Sequence, residues 1–200
     1  MGDFKQASET ARNLFVNGGW VEWMHEGSTP AFNQSLRVTN AILGVMTKHC
    51  AKCLNLNGCW FCKSKMPEQS LHPNCHCETR DIASPAPYAT AFAECSEGKI
   101  ENAFLKKKKF FNSNGYDIMD DGEDMRIEYE RQAVQKYASG NYELGTLNDY
   151  GQRITIAVEL ERRVGDSPKP FTYKTGWMVY PYGIIKCTTG ATDLSLKEAL

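Results

Sequence analysis

The spacing of apolar side chains divides the chain into a helical lead-in, a dense cysteine-rich stretch and a longer unit that turns from helix to strand. In residues 3–16, Phe4, Ala7, Ala11, Leu14 and Phe15 share one helical face, and Gly18-Gly19 stops it. A short aromatic segment with Trp20 and Trp23 follows. Ser28-Thr29-Pro30 supplies a hydroxyl cap and an early proline, so a second helix is predicted from about residue 30 to 48, with Phe32, Leu36, Leu43 and Met46 on one stripe.

Past residue 99 the pattern predicts two more helices. Around Lys106–Lys109, four lysines in a row cannot share a face, so Phe104, Leu105, Phe110 and Phe111 are expected to supply the buried side. Asn112-Ser113-Asn114-Gly115 ends that helix. The acidic run from Asp117 to Asp124 partly imitates a calcium loop, but Met119 stands where a hard cation needs oxygen. The simpler reading is that Asp120 or Asp121 caps a helix running to about Ala138. The period then changes from helical to alternating. Residues 154–160, 171–180 and 184–189 read as strands, separated by Gly165-Asp166-Ser167-Pro168 and by Pro181-Tyr182-Gly183. The predicted class is α+β: a helical lead-in with a small zinc-binding module, then two helices and a three- to four-stranded antiparallel sheet.

Asp81 to Tyr88 is small, polar and proline-bearing, which reads as a boundary. The expected division is residues 1–80 for the lead-in and module, 81–98 for a linker, and 99–200 for the α+β unit. Cys95 stands apart and reads as a packed thiol.

Composition narrows the function classes. The chain has 200 residues, 24% charged and 42% hydrophobic, with a formal net charge of −1, so no global attraction to nucleic acid or membrane is expected. No basic segment followed by an apolar run opens the chain, and no window reaches a membrane-spanning length. A cytoplasmic setting is therefore expected, in a bacterial host cell or a phage particle, where clustered cysteines serve metals more often than disulfides.

Six of eight cysteines fall between Cys50 and Cys77, as two C-x2-C pairs, Cys50/Cys53 and Cys59/Cys62, and the ending His72-Pro73-Asn74-Cys75-His76-Cys77. A C-x2-C turn lets two thiolates hold one ion while backbone amides face the sulfurs, and a tetrahedron of such ligands suits zinc. The expected site is Cys50, Cys53 and Cys75 with His72 or Cys77. Cys59/Cys62 ranks lower because the five-residue gap to the first pair is tight. A hairpin through Asn57-Gly58 is expected to span the distance between ligand pairs.

The sequence of C-x2-C, Leu56-Asn57-Gly58 with an aromatic, and Leu71-His72-Pro73-Asn74-Cys75-His76-Cys77 resembles the C-terminal motif of phage head-morphogenesis (minor head) proteins. The resemblance covers about 30 residues and implies a prophage or mobile-element origin. A second set, Lys107 with Phe110, Gly115-Tyr116, Tyr137 with Gly140, Tyr150-Gly151-Gln152-Arg153-Ile154, Lys174 to Val179, and Gly183 to Lys186 with Thr188, resembles an uncharacterised domain family of prophage and polymorphic-toxin-like proteins.

The helix-then-sheet order is also similar to small RNase toxins. That analogy implies an RNA substrate, with Lys107, Gln152, Arg153 and Thr188 as catalytic candidates, joined by Glu128. All four histidines precede residue 78, so none comes from this unit. The competing expectation is a non-enzymatic, zinc-held interaction or assembly module with a protein partner. It would present an apolar patch near Trp20, Trp23 or Trp60.

Overall fold

The computed structural model describes residues 19–25, 50–83, 86–165 and 170–191. The helices predicted over 3–16 and 30–48 lie outside the described residues. The remainder is α+β, built on two sheets.

The smaller sheet has the order β2-β1-β3. Its centre is β1 (Trp20–Met24), the aromatic segment, flanked antiparallel by β2 (Trp60–Cys62) and β3 (Glu78–Ile82). The expected hairpin through Asn57-Gly58 is not formed within the cysteine stretch. Instead, β2 and β3, the strands either side of the His72–Cys77 segment, each pair with β1, which closes the module from a distance. Trp20 and Trp23 are thereby fully buried, and Glu22, also buried, is ion-paired to Arg80 directly across the ladder. These two tryptophans form core, so neither offers the surface patch expected of an interaction module.

The larger sheet has five strands in the order β4-β8-β7-β6-β5. The predicted meander is present as β6 (Gly151–Glu161), β7 (Pro170–Tyr180) and β8 (Ile184–Thr189), all antiparallel. Two strands are added. β5 (Glu143–Asn148) pairs with β6 through an irregular register between Leu144 and Leu147, which hides the alternation that would announce a strand. β4 (Phe92–Glu94) is only three residues long and pairs parallel to β8.

Residues 81–98, read as a linker, hold the end of β3, the short helix α2 (Ala86–Thr90), β4 and the start of α3 (Glu97–Ser113). They carry the chain from one sheet into the other. One continuous core includes Trp20, Leu56 and Phe61 together with Tyr137, Ile154 and Trp177. The cysteine-rich module and the α+β unit therefore share an interior.

Two long helices, α3 and α4 (Ile118–Ala138), cover one face of the larger sheet. Phe104 and Phe111 of α3 pack inward, and Phe111 meets the Tyr173 ring edge-on at 5.5 Å. Leu105, expected on that buried side, points to solvent at 80% exposure, because it stands about 100° round the helix from buried Phe104; the backbone then breaks at Lys107 (φ −126°, ψ 28°). Asp117, rather than Asp120 or Asp121, caps α4: its carboxylate accepts from Met119 N at 2.9 Å, and Asp121 accepts from Asp117 N at 2.7 Å. The acidic run thus starts a helix.

The helix α4 also seals strand edges. β6 runs beyond the end of β5, which leaves the backbone at 157 and 159 open. The Gln132 amide accepts from Glu159 N (2.9 Å) and donates to Glu159 O (2.5 Å), and Lys136 Nζ donates to Ala157 O (2.6 Å). On the smaller sheet, the outward-facing backbone of β2 is met by tyrosines. Tyr137 donates to Trp60 O (2.6 Å), and Tyr142 accepts from Cys62 N (2.9 Å) while donating to Lys65 O (2.9 Å).

Two substitutions test this sealing. Tyr137→Phe removes one buried hydrogen bond and should destabilise the fold by about 1–3 kcal/mol, read by urea unfolding. Gln132→Ala opens both Glu159 backbone groups and should cost a similar ~1–3 kcal/mol. Unchanged midpoints in both variants would show that water serves these edges equally well.

Candidate metal centre and the sheet residues

The cysteine-rich stretch is arranged by two local turns. Cys50 stands at the N-cap position of α1 (Ala51–Leu56), and Leu54 N bonds back to Cys50 O at 3.1 Å. The one-turn rise places Cys53 beside Cys50 on the same side of the helix start. The second turn is His72-Pro73-Asn74-Cys75, closed by Cys75 N to His72 O at 3.1 Å. Proline at its second position and Asn74 at φ 63° are what a type II turn demands. The H-P-N-C spacing is therefore a turn that brings the His72 ring and the Cys75 thiol to one side.

These turns meet. Cys50, Cys53 and His72 form one group whose donor atoms all lie within 4.8 Å of one another, and Cys53, Cys75 and Cys77 form a second. Cys53 belongs to both. All five residues expected as ligands are thus brought together around one buried sulfur. Cys53 Sγ lies 3.8 Å from Cys75 Sγ and 3.0 Å from His72 Nε2.

The donors fit a thiophilic cation. Two sulfurs at about 2.3 Å from a tetrahedral ion sit about 3.8 Å apart, which is the Cys53–Cys75 separation. His72 is held in the required tautomer: its Nδ1 lies 2.8 Å from the Pro73 carbonyl, which can only accept, so Nδ1 carries the proton and the Nε2 lone pair faces Cys53. Burial pushes the Cys53 and Cys77 thiols up, with the neighbouring sulfurs adding to the effect on Cys53. At Cys75 burial acts the same way, but N–H groups of Cys77 and Leu71 outweigh it and bring that thiol down to about 7. Crowded thiols that resist ionisation together are the groups a divalent cation deprotonates on binding. The Trp23 indole N–H is buried without a hydrogen-bond acceptor.

Cys59 and Cys62 are elsewhere. Cys59 Sγ lies 3.4 Å from Asn55 O in the core, and Cys62 Sγ lies 3.3 Å from Ser64 Oγ beside Gly140. Cys59 instead forms a bridge to Pro181, which ties the module to the end of β7. Cys95, expected as a packed thiol, is buried beside Cys187 on the neighbouring strand, a proximity that no sequence spacing announces.

The four residues expected to act on RNA separate into two sets. Lys107 sits on α3, over the helix-covered face of the sheet. Gln152 is buried, its amide donating to Gly145 O (2.8 Å) and Arg153 O (2.6 Å), which makes it a backbone brace. Glu128 holds Arg131 and Gln132 on α4. Arg153 and Thr188 lie on the opposite face and converge over Gly176: a Cβ at Gly176 would come within 3.2 Å of both Arg153 Nη2 and Thr188 Oγ1. Sequence reasoning missed Gly176 as part of this arrangement, although a glycine inside a strand is a signal of close approach. Trp177 is fully buried and donates to Thr175 Oγ1 at 2.8 Å, so it is a core residue and no stacking platform.

Among the described residues, no helix is long and apolar enough to cross a membrane. No family model, no curated protein and no solved structure matches this chain.

Proposed function

We propose that this chain is a zinc-braced binding module, in which the metal fixes architecture and takes no part in a reaction. The observation that carries this reading is the meeting of Cys50, Cys53, His72, Cys75 and Cys77 around one buried sulfur. Bound zinc would link the start of α1 to the H-P-N-C turn, and so hold together the segments that lead into β2 and β3, strands that meet only through β1. Thiolate-rich sets of this kind leave no open position for substrate, and a closed zinc contributes folding energy rather than Lewis acidity. The resemblance of the H-P-N-C-H-C ending to phage head-morphogenesis proteins supports a prophage or mobile-element origin.

The same geometry argues against RNA cleavage as the first choice. Phosphoryl transfer needs an acid or base within reach of the cation that stabilises the charge. Lys107 and Glu128 belong to helices on one side of the sheet, and Arg153 and Thr188 lie on the other. Binding is the activity that remains for the Arg153 face.

Metal analysis of the purified chain should find one zinc per chain, lost on Cys53→Ser and retained on Cys62→Ala, because Cys53 is common to both donor groups and Cys62 to neither. Chelation should lower the thermal midpoint by several degrees or more. A folded chain that is metal-free as isolated and takes up no zinc on titration would overturn the reading.

A further inference from the structure

We propose that Arg153 and Thr188 form a subsite for a phosphate group on the face of the larger sheet that α3 and α4 leave uncovered. This inference stands apart from the metal centre and concerns what the module binds.

Three observations carry it. First, the Arg153 side chain is half-buried, yet it makes no ion pair or hydrogen bond among the described residues. The other cations on this face are neutralised: Lys174 pairs with Glu143 at 2.8 Å, and Lys186 with Glu94 at 2.7 Å. Among the described residues, the unbalanced charge of the face is therefore that of Arg153. Secondly, Thr188 Oγ1 is shielded from water and has no hydrogen-bond partner. A buried hydroxyl without a partner costs folding energy, so it calls for an acceptor. Thirdly, Gly176 makes room for both groups. Its φ is not in the left-handed region, so conformation does not require glycine there. Space favours it, because a Cβ would come within 3.2 Å of both Arg153 Nη2 and Thr188 Oγ1 and push them aside by a few tenths of an ångström.

The two donors come from β6 and β8, the strands on either side of β7. A planar carboxylate that satisfies the guanidinium fork offers the second strand only the remaining in-plane lone pairs of oxygens already engaged. A tetrahedral phosphate has an oxygen for each donor. Two sources supply that chemistry, a free phosphate and the backbone of a single-stranded nucleic acid.

The test uses the full chain with its metal. Inorganic phosphate is titrated and followed by amide and guanidinium NMR shifts, with acetate as control. A fluorescently labelled single-stranded RNA is titrated in parallel by anisotropy. Arg153→Ala should weaken binding about tenfold or more, and the RNA salt dependence should lose about one phosphate contact. Thr188→Val is the sharper variant. It removes a hydroxyl that has no partner in the fold, so thermal stability should hold or rise while affinity falls about threefold or more. Gly176→Ala should also reduce affinity by pushing the two groups apart. Arg153-dependent binding of both probes, or of phosphate alone, supports the subsite with free phosphate as a sufficient ligand. Arg153-dependent binding of RNA alone supports it with the strand as source. No binding of either probe, binding indifferent to Arg153, or acetate competing as well as phosphate would overturn the proposal.

Discussion

Open strand edges are the constraint on which this structure depends. A backbone N–H or C=O left facing neither a strand nor water is costly, and both sheets end in edges that no strand covers. A single helix meets both. From α4, Gln132 and Lys136 bond the uncovered end of β6, and Tyr137 bonds the outer edge of β2. Tyr142, just beyond the helix, completes the second edge. The Tyr137 and Tyr142 rings also pack against Trp20, the first residue of β1. Hydrogen bonds that close the edges thus lie inside the apolar contact that joins the two sheets.

That arrangement explains how the cysteine-rich stretch becomes part of a stable interior. The module contributes Trp20, Trp23, Leu56 and Phe61 to the common core, but its chain between Cys62 and Glu78 has no strand or long helix of its own. Small units of this kind rely on a metal or a crosslink to fix what burial alone does not. The donor cluster lies at the point where α1 and the H-P-N-C turn approach each other. The tyrosine contacts hold the opposite side of β2. The smaller sheet buries two tryptophans in only three short strands, with the tyrosine contacts on one side and the donor cluster on the other.

The larger sheet shows a division of labour between its faces. One is covered by α3 and α4 and filled by aromatic rings, among them Phe111, Tyr129 and Tyr173. The other carries Arg153, Thr188, Lys174 and Lys186, with Gly176 as a gap between them. Alternation along β6 assigns Gln152 and Arg153, adjacent in the chain, to opposite faces and to different roles. The amide braces backbone from within the core, and the guanidinium faces outward without a partner.

Several features were legible in the chain itself. The period change after residue 150 marks the strands, because a half-buried strand must alternate. The Cys50/Cys53 and H-P-N-C spacings mark the side chains that cluster, because each is a local turn whose geometry is decided within four residues. Asn114-Gly115 and Gly140 mark the ends of α3 and α4 for the same reason. Other features depend on partners far along the chain. No local pattern says that Trp20–Met24 is the central strand between β2 and β3, that Phe92–Glu94 lies parallel to β8, or that Ala86–Thr90 is a helix. Short strands acquire their state from the neighbour that bonds them. Nor does spacing place Lys107 and Arg153 on opposite sides of a sheet, or Thr188 above Gly176. Those placements were decided by tertiary structure alone, since they follow from strand order and from which face the helices cover.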